Sequence, residues 1–411
     1  MADEVYDVAV VGLGALGAAT LRALAAAGAS VLGIDRFDPP HAHGSSHGES
    51  RITRLAIGEG DAYVPLVQRS HAIWRDLEQQ TGRDIYTACG GLILAPEGRV
   101  PDHHGKPDFV RRTIGCAERF GIRHEVWDAP AIHARFPQFA LQGDEVAYWE
   151  LDAGFVRPEQ AIAAQLEVAQ RHGAQVHRRQ TVRALDPRPG GEQLRIDTDQ
   201  GSHIARQVVV AAGAWLPEFL GTDAQRRLLG DTPLRVYRQV MHWFDASPAG
   251  DAFAPERFPI FIWMFGDGEE DYMYGFPAAD PERPALKVAS ERYGEAIQPG
   301  TLRREVDPEE SLALFRAGVA GRFPAIGGRV LDARACMYTV TPDRDFLVDE
   351  LPGAPGVWVA SACSGHGFKH SAGLGEALAN RLLGRPGGEL IDPFARRPGR
   401  AQDRGAGRRA G

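Results

Sequence analysis

Lysine is nearly absent from this chain: of 46 basic residues only Lys106, Lys287 and Lys369 are lysines. Where a surface merely needs positive charge the sequence uses arginine, so a retained lysine marks a place for a compact ammonium with an adjustable pKa. Lys106, in the polar loop His103–Pro107, needs no such role. Cysteine is also scarce. Cys89, Cys116, Cys336 and Cys363 are far apart in sequence and form no CxxC pair, so they read as free thiols and no metal is expected. No apolar run approaches the roughly 18 residues of a spanning helix. The chain passes from Met1 almost directly into the apolar stretch Tyr6–Val11, without a basic region or cleavage site, which predicts a cytoplasmic protein. A net charge of −8 gives no reason to expect nucleic acid or an anionic membrane as partner. The length suffices for two domains, and no internal repeat is present.

Apolar patterning predicts a strand over residues 5–11, a helix to about Ala27 and a second strand from Ser30 to Ile34, one βαβ unit. Helices are predicted over residues 62–80 and from Pro158 to His172, followed by strands at Gln175–Val182, Leu194–Thr198 and His203–Val210. Between 221 and 324 short aromatic segments (Trp243-Phe244, Phe261–Trp263, Tyr272–Tyr274) alternate with Pro/Gly/Asp turns, as in an antiparallel sheet. The strand Val357–Ala360 and the helix Ser371–Leu383 then return the chain to the first domain.

Gly12-Leu13-Gly14-Ala15-Leu16-Gly17 joins the first strand to its helix. Gly12 permits the turn, Gly14 lets backbone approach a pyrophosphate, and Gly17 lets helix and strand pack closely. Phosphates would sit at the helix N-terminus, where free N–H groups favour anions. Asp35 ends the second strand, 23 residues after Gly12, where its carboxylate can accept from a ribose hydroxyl. That carboxylate disfavours a 2′-phosphate and leaves NAD and FAD open.

Three further segments decide between them by resemblance: His41–Arg54 (HAHGSSHGESRITR), Ala335–Asp343 (ACMYTVTPD) and Ser364–Lys369 (SGHGFK). With the glycine loop they resemble, in order and over most of the chain, the family of monomeric sarcosine oxidase and N-methyltryptophan oxidase. The resemblance implies an FAD-dependent oxidase of secondary amino acids: sarcosine, another N-methyl amino acid or a cyclic imino acid. It also implies hydride transfer to a flavin held through its 8α-methyl group by the sulfur of Cys336, reoxidation by O2 giving hydrogen peroxide, and a monomer. A thiolate making that bond needs nearby positive charge.

The same resemblance places Arg51 against the flavin ring. It puts Arg54 and Lys369 on the substrate carboxylate, a task that suits the planar fork of arginine, and Lys287 over the flavin, where a cation assists the reaction with oxygen. Tyr274 and Phe276 match aromatic positions of the substrate pocket, with Tyr338 beside them, and His366 is a further catalytic candidate. Arg51 and Arg54, three apart, share a helical face or flank a turn. Flavin contacts are expected from Gly12, Gly14, Gly17, Asp35, Arg36, Ser45, Arg51, Val182, Gly213, Cys336, Met337, Gly365, Gly367 and Lys369. One departure stands out: four residues after the active-site lysine, where sarcosine oxidases carry histidine, this chain has Glu291, free to attract a cationic amine or to face solvent. Cys363 and His370 differ from the family as well.

The expected fold is α/β with α+β elements: a Rossmann-like FAD-binding domain and a second, mainly antiparallel substrate domain. The first takes residues 1–88, 151–220 and 325–393, the second 89–150 and 221–324, with 394–411 a disordered Arg/Gly/Pro-rich tail. The main competing expectation is an FAD dehydrogenase of the same fold with a non-oxygen acceptor. An NAD dehydrogenase would leave Cys336-Met337-Tyr338 and SGHGFK without a role.

Overall fold

The strand Val5–Val11 is apolar on both faces because it lies inside a sheet covered on both sides. Val31–Ile34 and Gly201–Val210 pair with it in parallel on either flank. Gln175–His177 extends the sheet beyond Val31–Ile34, and Val357–Ser361 runs parallel to the end of Gly201–Val210. Leu194–Thr198, Val182–Pro187 and Leu347–Glu350 add antiparallel edges to complete eight strands. The computed structural model describes residues 4–100, 102–266 and 271–396.

The strand expected over Gln175–Val182 is two strands at opposite ends of this sheet. Between them Arg179 and Gln180 donate to the carbonyls of Phe37 and Asp35, both at 2.9 Å. These bonds carry the chain across the end of the Val31–Ile34 strand, which a single straight strand could not do. Helices Ala15–Ala26, Val64–Thr81, Pro158–Arg171 and Ser371–Leu382 match the expected ones closely and bury apolar faces. Leu21, Leu24, Val67, Ile162, Leu166, Leu374 and Leu378 join one core there. Among the described residues no helix is long and apolar enough to cross a membrane.

A second eight-stranded sheet has the order Val330–Val340, Arg235–Asp245, Ala285–Ala289, Tyr272–Phe276, Ile260–Met264, Gly91–Pro96, Glu145–Glu150, Glu125–Asp128. Every neighbouring pair is antiparallel except Ile260–Met264 with Gly91–Pro96. One face buries Phe139, Phe253, Phe258, Phe261, Trp263 and Phe323 in a single aromatic core. A small sheet of Arg51–Thr53, Gly154–Val156 and Tyr86–Thr87 and a two-stranded one of Asp102–His103 with Lys106–Pro107 complete the arrangement among the described residues. Val330–Val340, inside the segment 325–393, is therefore a strand of the second sheet. Its end meets the first layer where Ser364 N donates to Thr339 O at 2.9 Å.

Phe394, the first residue of the expected tail, is buried, with ring centroids 5.0 Å from Tyr63 and 5.3 Å from Phe346. An aromatic side chain gains too much from burial to stay in a solvated tail. The rest of that expectation, from residue 397 on, lies outside the described residues.

Candidate active site

Gly12 takes the chain out of the first strand with φ +89°, a left-handed conformation that suits glycine. A Cβ on Gly12 would lie 2.6 Å from the Ala211 oxygen, and one on Gly17 would lie 1.8 Å from the Gly12 oxygen. Only bare backbone brings the Ala15–Ala26 helix this close to the strand. Gly14, before the helix, provides no side-chain cap; Ala15 N makes a long hydrogen bond to Ser46 Oγ at 3.4 Å, and the positive end of the helix favours an anionic ligand there. Asp35 is buried, and its two oxygens accept from the amides of Leu13 and Phe37, both at 2.7 Å. Gly12, Gly14 and Asp35 line one cavity together with Arg36, Ser45, Arg51, Val182, Gly213, Gly365 and Gly367. Gly17, Cys336, Met337 and Lys369 lie outside that lining.

The expectation that Arg51 and Arg54 share a helical face does not hold. Arg51–Thr53 is a strand with Arg54 just past its end, and on extended backbone residues three apart point to opposite sides. Arg51 faces the cavity and donates to the carbonyls of Ser45 at 3.0 Å and Ser50 at 2.9 Å. Arg54 turns the other way into a buried polar cluster. Its Nη2 lies 2.7 Å from Glu59 Oε2, and its Nη1 donates to the Ala56 carbonyl. Lys369 Nζ donates to His366 O at 2.8 Å and lies 3.7 Å from Glu59 Oε1. Burial opposes ionisation of Glu59, but Arg54 and then Lys369 hold its carboxyl well below the usual range. Burial draws the Lys369 ammonium down to about 8, against the pull of Glu59. Arg54 Nε and Glu59 Oε1 are buried without a hydrogen-bond partner, and the Nε–H is a donor that a polar ligand can satisfy.

Glu291 does not face solvent. It is buried, lies 2.9 and 3.1 Å from His104 Nε2, and accepts from Tyr293 OH at 2.5 Å. His104 Nδ1 in turn lies 3.4 Å from Glu59 Oε1. Gly365, with φ +85°, joins this cluster to the cavity. A Cβ there would sit 2.9 Å from Glu291 Oε1, 3.0 Å from His104 Nε2 and 3.3 Å from Tyr293 OH. Nitrogen and oxygen ligand atoms of Glu59, His103 and His104 lie within 4.8 Å of one another, but Arg54 and Lys369 already use the charge of Glu59. His366 hydrogen-bonds through Nε2 with Arg344 O at 3.1 Å, and burial drives its pKa down to about 3, leaving a neutral ring.

Lys287 is central in the Ala285–Ala289 strand and buried. Its Nζ donates to Gly48 O at 2.6 Å, Ser50 O at 2.7 Å and Ser50 Oγ at 3.0 Å. Three acceptors satisfy all three N–H groups of an ammonium. Burial and the nearby Arg51 loosen its hold on the proton, while Glu49 opposes them. Cys336 is buried among Tyr237, Met241, Trp243 and Tyr338. Burial pushes its thiol pKa up and Arg51 opposes this, with smaller help from Lys287. Strand alternation gives Cys336 and Tyr338 one face, and Tyr338 lines the cavity. It also turns Met337, expected among the flavin contacts, to the other face, where its side chain packs on Ala214 and Val236. Tyr274 OH lies 3.0 Å from Tyr338 OH.

A family of the description "FAD dependent oxidoreductase" matches residues 7–381. The chain is 39% identical over 381 residues to the monomeric sarcosine oxidase of Streptomyces avermitilis, covering 92% of this chain and 94% of that protein. The chain belongs to the FAD-dependent oxidoreductase family. N-methyl-L-tryptophan oxidase of Salmonella heidelberg is 32% identical over 394 residues, 95% of this chain and 98% of that protein. In fold the FAD-dependent oxidoreductase resembles NikD, described as an unusual amino acid oxidase essential for nikkomycin biosynthesis, with a TM-score of 0.80 at 22% identity and coverage of 96% and 98%. It also resembles L-proline dehydrogenase from P. horikoshii, with a TM-score of 0.75 at 20% identity and coverage of 95% and 98%.

FAD is thus the cofactor, and the chain fits it: the helix start, the buried Asp35 carboxylate and the bare loop line one cavity with Arg51. Glu59, His104 and Tyr293 belong to the site and were not expected from sequence. Glu59 had a legible signal, a carboxylate ending the stretch Leu55-Ala56-Ile57-Gly58 five residues after Arg54. His103 and His104, read as part of a polar loop, are both buried at 5% exposure. Their turn folds inward because Glu59 and Glu291 offer acceptors there, and only the tertiary structure reveals that.

Proposed function

We propose that this FAD-dependent oxidoreductase oxidises the C–N bond of a secondary amino acid (sarcosine, an N-methyl amino acid or a cyclic imino acid), with O2 as the acceptor and hydrogen peroxide as product. The observation that carries the reading is the convergence of buried Arg54 and Lys369 on one carboxylate beside the dinucleotide cavity. The free Arg54 Nε and the remaining N–H of Lys369 are the donors for a substrate acid. Two fixed cations on that acid orient the amine-bearing carbon, and the amine reacts in its neutral form. Tyr338, which lines the cavity, and Tyr274, its hydroxyl 3.0 Å from that of Tyr338, form the aromatic wall in this reading. When bound, FAD supplies the two-electron acceptor and passes the electrons to O2. Cys336 is the attachment residue in this reading, with Arg51 and Lys287 supplying the positive field that a thiolate requires. Lys287, held by three acceptors, is a preoriented cation for charge developing on oxygen.

The fold likeness to a proline dehydrogenase leaves the choice of acceptor to experiment. A peroxide-coupled screen of secondary amino acids against the purified yellow protein tests the reading. Peroxide formed in step with substrate use supports it. Turnover with an artificial dye but none with O2 supports the dehydrogenase instead. A monomeric state and a cytoplasmic setting belong to the same proposal, and light scattering checks the first.

A further inference from the structure

His104 has a carboxylate against each ring nitrogen: Glu291 at 2.9 Å from Nε2 and Glu59 at 3.4 Å from Nδ1. The Nε2 contact is a hydrogen bond and the Nδ1 contact a longer ion-pair approach, and only a doubly protonated imidazole presents an N–H toward both carboxylates. Its other neighbours do not compete for that role. The His103 ring lies tilted against it with centroids 3.9 Å apart and His366 lies at 5.2 Å, and burial holds both rings neutral. Arg54 pairs with the other oxygen of Glu59, Oε2, while Lys369 Nζ shares Oε1 with His104 at 3.7 Å, and Tyr293 donates to Glu291. Burial works against charge on His104, but Glu291 and then Glu59 overcome it and raise its pKa.

We infer that His104 is the counter-cation of Glu291, and that this balance makes the pocket select a monoanionic amino acid whose amine substituent is uncharged. Arg54, Lys369 and His104 carry three positive charges, and Glu59 and Glu291 carry two negative ones. One net positive charge remains, matched by a single substrate carboxylate. Without His104, Glu291 would be an uncompensated anion beside Gly365 at the cavity wall, repelling that carboxylate and favouring a cationic substituent. His104 thus acts as a positioning residue through Glu291 and Glu59. The inference rests on the proposed carboxylate-binding role of Arg54 and Lys369.

The test is acetate binding to the flavin-loaded enzyme, followed by the flavin absorption spectrum, with acetamide as the neutral control. His104→Gln should weaken acetate binding by about tenfold or more, the scale of one uncompensated charge at close range, and leave acetamide unchanged. The double variant His104→Gln/Glu291→Gln, which removes both charges, should recover acetate affinity to within about threefold. Acetate bound equally by wild type and His104→Gln, or no recovery in the double variant, overturns the inference. The wild type gives a second readout that does not depend on folding of the single variant. It should lose acetate affinity in two proton-linked steps as pH rises, one for His104 and one for Lys369. The double variant should keep only the second, and identical pH profiles overturn the inference. Acetate binding in no variant at any pH overturns the carboxylate-binding reading itself, and this inference with it.

Discussion

Arg54 and Glu59, five residues apart, form a buried ion pair with Nη2 2.7 Å from Oε2. The pair fixes the guanidinium while leaving Nε unpartnered, so the arginine is both anchored and available. Arg54→Lys should raise KM for a carboxylate-bearing substrate by roughly 10- to 100-fold, because a point charge cannot replace the planar fork. Steady-state kinetics against a substrate found in the peroxide screen checks this. An unchanged KM removes Arg54 from the substrate.

Glu59→Gln removes one partner of that buried pair, which should cost about 3–5 kcal/mol of stability. Denaturant unfolding of the flavin-loaded protein measures it, and a loss below about 1 kcal/mol would mean solvent reaches the pair.

Lys369 gives a pH prediction with a definite sign. Its folded pKa is lowered to about 8 by burial, so the ammonium that attracts a carboxylate is present below that pH and lost above it. Affinity for acetate should fall as pH rises through about 8. Lys369→Arg, which stays charged, should lose this step and keep only the one assigned to His104. Two steps in the variant would assign the fall near 8 to another group.

Lys287→Met should slow reoxidation of the reduced enzyme by O2 by on the order of 100-fold or more, the scale of one lost preorganised donor. Anaerobic reduction by substrate should change far less. Stopped-flow measurement of the two half-reactions separates them, and equal slowing would count against the oxygen role.

Much of this site is legible in the sequence because its residues sit in short local motifs. The glycine loop, Asp35, Arg51 and the turn Gly365–Gly367 all reach one cavity, since each is placed by a single strand-to-loop junction. The inward turn of His103-His104 is not legible, because it depends on Glu59 and Glu291, which lie far from each other in sequence. The opposite facing of Arg51 and Arg54 hinges on three residues being strand instead of helix, a choice made by pairing with Gly154–Val156. Val330–Val340 crosses to the second sheet for a similar reason: its partner, Arg235–Asp245, is distant in sequence and matches it along nearly its whole length.

The central claim is a flavin tethered to Cys336 in an amine oxidase, and mass spectrometry of proteolytic peptides tests it most directly. The account predicts the mass of the flavin on the peptide containing Cys336, and none on the peptide containing Cys363, although Cys363 is the thiol that lines the cavity. Flavin on Cys363, or on neither peptide, would contradict it.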